Sequence, residues 1–167
     1  HAQLTPDSPG SPSAHPQLTP DSPCAPSSHP RLSLRTLTID DYDAVVALQQ
    51  LCFPGMEVWA LHTWRSLVTR FPEGQLGIEA ENEVLIATCS ALVVNSGDVA
   101  DWYDWMSVSD GGNIRNHDPE GDTLYGIEMQ VSPEWRGYRL SRRLYAARKE
   151  LCRQLNLGQI VIGGRIP

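Results

Sequence analysis

From Arg31 onward the apolar positions switch between two spacings. Leu32, Leu34 and Leu37 form a short β-like run. Val45, Val46, Leu48 and Leu51 then recur at helical spacing. Thr38 and Asp40 are candidate caps for that helix, and Pro54-Gly55 stops it near Leu51. Trp59, Leu61, Trp64 and Leu67 mark the apolar side of a second helix over residues 58–70. Strand-like runs follow at 75–80 and 84–94, joined by Glu81-Asn82-Glu83 as a hairpin. Residues 95–122 are polar, hold Trp102, Tyr103 and Trp105, and carry no clear period. Residues 123–131 read as a strand and 133–137 as a turn. Leu140, Leu144, Ala147, Leu151 and Leu155 set a helix over 140–155. After Gly158, residues 159–162 read as a buried strand.

This order is strand, helix, helix, two strands, long loop, strand, helix, strand. The closing strand–helix–strand unit implies a parallel pair with a right-handed crossover. The fold class is therefore α/β (α+β), with helices flanking a mixed sheet.

Residues 1–30 depart from this pattern. HAQLTPDSPGSPSA is followed by HPQLTPDSPCAPSS, and a third copy decays after His29. Eight of the thirteen prolines fall here, with no aromatic residue. Such a stretch cannot bury enough apolar surface to offset the cost of ordering its backbone. It reads as an extended or disordered Pro/Ser-rich tail, and 31–167 as one domain. The repeat accounts for the spaced histidines better than metal binding does. Cys24, Cys52, Cys89 and Cys152 form no CxxC pair, which argues against a zinc ribbon or redox motif. Reduced thiols in a cytoplasmic protein are the simpler reading. No secretory signal and no span of roughly 20 apolar residues is present, so neither export nor a membrane is expected.

The net charge of −7 argues against a general nucleic-acid binder. Yet seven of the thirteen basic residues lie between Arg136 and Arg153. That clustering points to an anion site in an acidic protein. It coincides with the change from strand to helix across Glu128-Met129-Gln130-Val131-Ser132-Pro133-Glu134-Trp135-Arg136-Gly137-Tyr138-Arg139-Leu140-Ser141-Arg142-Arg143-Leu144. The first amides of a helix lack internal partners and attract phosphate. Gly137 lets the backbone approach such a ligand. The plainer alternative is an amphipathic helix with a solvated basic face.

The stretch Val131-Ser132-Pro133-Glu134-Trp135-Arg136-Gly137-Tyr138-Arg139-Leu140-Ser141 resembles the coenzyme A motif of the GCN5-related N-acetyltransferases. That motif is Gln or Arg, two variable residues, Gly, one variable residue, then Gly or Ala. Arg136 matches its first position, Arg139 replaces its glycine, and Ser141 stands at its last small position. The chain is most similar to the subgroup whose acetyltransferase domain is fused to a carbon–nitrogen hydrolase.

The resemblance implies a mostly antiparallel sheet and acetyl-coenzyme A as acetyl donor. Met129 and Val131 would pair with the pantetheine arm. Arg136, Gly137, Tyr138, Arg139, Leu140, Ser141 and Arg142 would hold the pyrophosphate. Glu128 would be the base that deprotonates a small-molecule or peptide amine, although a salt-bridge or strand-edge role is equally open to it. Tyr145 and Tyr125 are candidate acids for the leaving thiolate, with packing residues that carry a polar tip as the plainer reading of both. By charge rather than by resemblance, Asp98, Asp101 and Asp104 of the long loop could attract a cationic substrate, with a solvated loop or a contact with another subunit or domain as the plainer reading. The family fold continues past residue 162 with a further helix and strands, so three readings stay open: the chain is a fragment, a partner (a homodimer or a covalently linked second domain) supplies the missing strands, or the activity has been lost. A coenzyme A or phosphate-ligand module without catalysis remains the alternative, and an RNA-binding helix a weaker one.

Overall fold

The computed structural model describes residues 30–101 and 104–163. The repeat tail lies outside the described residues, as do Trp102 and Tyr103. Five strands form one sheet in sequence order: β1 (Leu32–Thr36), β2 (Leu76–Ala80), β3 (Leu85–Val94), β4 (Thr123–Val131) and β5 (Gln159–Ile162). β1 to β4 pair antiparallel and β4–β5 pair parallel. This is the mixed, mostly antiparallel sheet expected. The helices are α1 (Tyr42–Cys52), α2 (Leu61–Arg70), the short α3 (Trp105–Ser109) and α4 (Leu140–Gln154).

The buried apolar side chains form two clusters. Val45 and Leu48 of α1 and Trp64 and Leu67 of α2 share one with Leu92 and Ile127, and Leu151 and Cys152 of α4 extend it. Leu140 and Leu144 of α4 pack with Ile78, Ala87 and Cys89 in the other. β3 lies between both layers, and all ten of its residues are buried. A strand covered on both faces reads as a continuous apolar run rather than an alternating one, as Leu85–Val94 does.

The entry to α1 is held locally. Thr38 and Asp41 form a capping box around a 3₁₀ turn at Ile39–Asp41. Arg35 of β1 bridges Asp41 and Glu79 of β2, tying that turn to the sheet.

Several elements differ from expectation. α2 starts at Leu61 rather than near 58: residues 57–60 are outside any helix, and the Trp59 amide donates to Gln49 Oε1 at 2.9 Å. Leu51 and Leu61, placed on apolar helix faces by spacing, are exposed. β5 is not a buried strand. It is the sheet's last strand, with one neighbour, and its side chains are exposed or half-buried. The long polar segment is largely structured: a 3₁₀ turn at Ser96–Asp101, α3, and buried Val108 and Ile114 anchor it.

Burial separates two leucines of equal size. Leu144, fully buried between α4 and the sheet, should lose about 2–5 kcal/mol of unfolding free energy as Leu144→Ala. Leu51, 61% exposed, should lose under about 0.5 kcal/mol as Leu51→Ala. Urea titration of both variants checks the pair.

Candidate active site

One register change in β4 organises the site. Ser90 of β3 pairs with Glu128 and Ala91 pairs with Gly126, so Ile127 is the extra residue of a β-bulge. β5 pairs with β4 only from Thr123 to Gly126. Beyond the bulge the outer edge of β4 is therefore free of β5, and a groove of about 600 Å³ opens there.

Met129, Gln130, Val131, Trp135, Arg136, Gly137, Arg139, Leu140, Ser141 and Tyr145 line this groove, with Cys52 and Phe53 on its α1 side. The path from β4 into α4 is built by backbone conformation. Pro133 opens a 3₁₀ turn, Gly137 has φ +95°, and Arg139, the N-cap of α4, has φ +59°. The left-handed value at Arg139 accounts for the glycine expected at this position, since a side chain there is strained. Seven of the nine expected ligand residues thus share one wall. Tyr138 and Arg142 are outside the lining; Tyr138 packs its ring on Trp135 at 5.0 Å, and Arg142 is exposed on α4.

Glu128 precedes Met129 on β4, and its carboxylate faces the α1 layer. Trp59 Nε1 donates to Oε2 at 2.8 Å, and Gln49 Nε2 lies 3.2 and 3.3 Å from the two oxygens. Burial pushes the Glu128 carboxyl above its ordinary value, against the pull of those two donors. A small cavity of about 30 Å³ adjoins it, lined by Gln49, Phe53, Met56, Glu57, Val58 and Glu128. Phe53 borders both cavities, so the carboxylate and the groove are neighbours across β4. No ion pair to Glu128 occurs among the described residues, which sets aside the salt-bridge reading.

Of the two tyrosines, Tyr145 lines the groove. Tyr125 is buried in the α1-side core, and burial raises its hydroxyl. Asp104 caps α3 through Ser107 N at 2.6 Å, so its carboxylate already has a structural task. Asp98 is exposed.

A Bacillus subtilis protein described as "Probable hydrolase YhcX" is 45% identical over 134 residues, covering 80% of this chain and 26% of that protein. The B. subtilis "Uncharacterized N-acetyltransferase YkwB" is 32% identical over 140 residues, covering 81% of this chain and 62% of the relative. The loading GNATL domain of CurA from Lyngbya majuscula superimposes with a TM-score of 0.67 at 19% identity, over 79% of this chain and 64% of that one. This chain has the fold of that GNAT-like domain and is similar in sequence to a protein described as an N-acetyltransferase. No protein-family model matches it. The chain spans about a quarter of one curated relative and under two thirds of the other.

Four residues around this site carry no local signal of their place there in the sequence: Gln49, Trp59, Trp105 and Arg148. Gln49 sits within an apolar stripe, where a buried polar residue signals a partner. Trp105 Nε1 donates to the Ile127 carbonyl at 3.0 Å, and its ring stacks on Trp59 at 5.9 Å. Arg148 was counted with the basic cluster, yet its side chain turns inward.

Two outcomes follow from the site's strain and burial. Arg139→Gly should raise the unfolding free energy by about 0.5–1 kcal/mol in urea, because relief of the left-handed strain outweighs the added chain entropy. For Glu128, a raised folded-state value means that the folded protein holds the proton more tightly than the unfolded chain. Stability relative to Glu128→Gln should then be greatest below the ordinary carboxyl value of 4.5 and fall as pH rises through the folded value. Thermal melts of both proteins at stepped pH test this, and a difference that stays flat or grows with pH would contradict it.

Proposed function

We propose that this chain catalyses acetyl transfer from acetyl-coenzyme A to an amine. The amine nitrogen attacks the thioester carbonyl carbon directly, the carbon–sulfur bond breaks, and the coenzyme A thiolate leaves and takes up a proton. The observation that carries this reading is a buried carboxylate of raised proton affinity, Glu128, next in chain to the residue that starts an anion-friendly groove.

Glu128 is the general base in this reading. Its raised affinity for a proton suits it to accept one from an ammonium, directly or through water. Met129 and Val131 supply the backbone for the pantetheine arm. Arg136, Gly137, Arg139, Leu140 and Ser141 hold the pyrophosphate at the start of α4. Tyr138 and Arg142, outside the groove wall, are left to contact the outer, nucleotide end. Tyr145, in the lining, is the better placed of the two acid candidates. A coenzyme A module without catalysis would leave the buried carboxylate and its two donors without a task.

The match to a quarter of a protein described as a probable hydrolase favours a covalently linked second domain over a homodimer as partner. Cys52, Cys89 and Cys152 are free thiols, which suits a cytoplasmic site of action. No helix among the described residues is long and apolar enough to cross a membrane.

Acetyl-coenzyme A at well above micromolar concentration should raise the melting temperature. Arg136→Ala should weaken that binding about 10- to 100-fold, the range for a lost charge-assisted hydrogen bond, and Ser141→Trp should block it. With an amine panel and thiol release as readout, Glu128→Gln should lower kcat by about 10²–10⁴ with little change in donor affinity. Absence of any stabilisation by acetyl-coenzyme A would overturn the proposal.

A further inference from the structure

Arg148 is a buried cation without a carboxylate. Its side chain projects from α4 toward the sheet and is 1% exposed. None of the ion pairs among the described residues involves it. Nη2 donates to the carbonyls of Ser90 at 2.8 Å and Glu128 at 2.9 Å, the two residues paired at the edge of the bulge. Nε has no acceptor. A Cβ on Gly126 would meet the guanidinium at 2.8–3.2 Å, so residue 126 has no room for a side chain while Arg148 lies there.

A neutral side chain can cap a stray carbonyl at far smaller desolvation cost than an unpaired guanidinium. The charge therefore asks for a role that capping alone does not give. The peptide unit it touches joins Glu128 to Met129. Ser132 N donates to the Ile86 carbonyl across β3–β4. Alternation back along the regular part of β4 turns the Met129 N–H away from β3, toward the edge that β5 leaves open after Gly126. A charged donor on one end of a peptide unit strengthens the donor at its other end.

We propose that Arg148 is a positioning residue which, through the Glu128–Met129 peptide, polarises the Met129 N–H as the hydrogen-bond donor to the thioester carbonyl. This rests on the acetyl-coenzyme A reading above. The attacking amine places negative charge on that carbonyl oxygen, and a polarised, preset donor stabilises it. Arg148 itself stays out of the groove lining.

The test uses the full chain and acetyl-coenzyme A labelled with ¹³C at the acetyl carbonyl. Bound to the wild-type protein, the carbonyl resonance should move downfield of the free ligand. Arg148→Gln, which can cap a carbonyl but has no charge, and Arg148→Met should both lose most of that displacement. Donor affinity should change by less than about threefold, and kcat should fall more than KM rises. Arg148→Lys should recover part of both the displacement and kcat. If acetyl-coenzyme A does not bind the wild-type protein, the functional reading falls and takes this inference with it. If it binds and the folded Arg148→Gln protein keeps the full displacement, the inference alone falls. If neither neutral variant folds, Arg148 is a structural cap and the inference is overturned.

Discussion

Antiparallel pairing of β3 with β4 skips Ile127, and the geometry of the site depends on that skip. Without it, alternation along β4 would put Glu128 on the same face as Gly126, toward α4. With it, Glu128 meets Trp59 and Gln49 on the α1 side, while Met129 faces the α4 side. A bulge also leaves carbonyls that the ladder cannot satisfy. Trp105 takes that of Ile127, and Arg148 those of Glu128 and Ser90. The acidic loop and the basic helix are thereby fastened to adjacent residues of β4, Ile127 and Glu128. This explains why a long polar segment of the chain is ordered around buried anchors rather than left as a solvated excursion.

Order along the chain was open to reading because each element repeats its own period. The leucines of α4 and the continuous apolar run of β3 each signal their environment within ten or so residues. The turn into α4 was likewise visible, since Pro133, Gly137 and the arginines are local in sequence. Arg139 was visible as an irregularity, and its cause is backbone conformation: the position is left-handed whichever residue occupies it. Other features depend on distant partners and could not be read locally. Glu128 is held by groups 69 and 79 positions away. The bulge is a property of two strands in register. Arg148 is indistinguishable by type from its exposed neighbours Arg142, Arg143 and Lys149, and only the space above Gly126 turns it inward. The exposed edge of β5 differs from its sequence pattern for a similar reason: Ile160, Val161 and Ile162 are apolar enough for a central strand, but burial is decided by neighbours rather than by composition.

The sheet also keeps two opposed electrostatic needs apart. A groove for phosphates gains from cations and helix amides, whereas a carboxylate whose proton affinity is raised by burial loses that property beside a cation. Arg136 and Arg139 line the groove, and Arg148 bonds the backbone carbonyl of Glu128 itself. Even so, the only pulls opposing burial at the Glu128 carboxyl come from Trp59 and Gln49, both neutral. The separation follows from the alternation of faces: Arg148 reaches the backbone from the α4 side, and the carboxylate lies on the other. One strand can therefore present a charge-supported donor toward the groove and a carboxylate of raised proton affinity toward the α1 layer, two residues in sequence, without either cancelling the other.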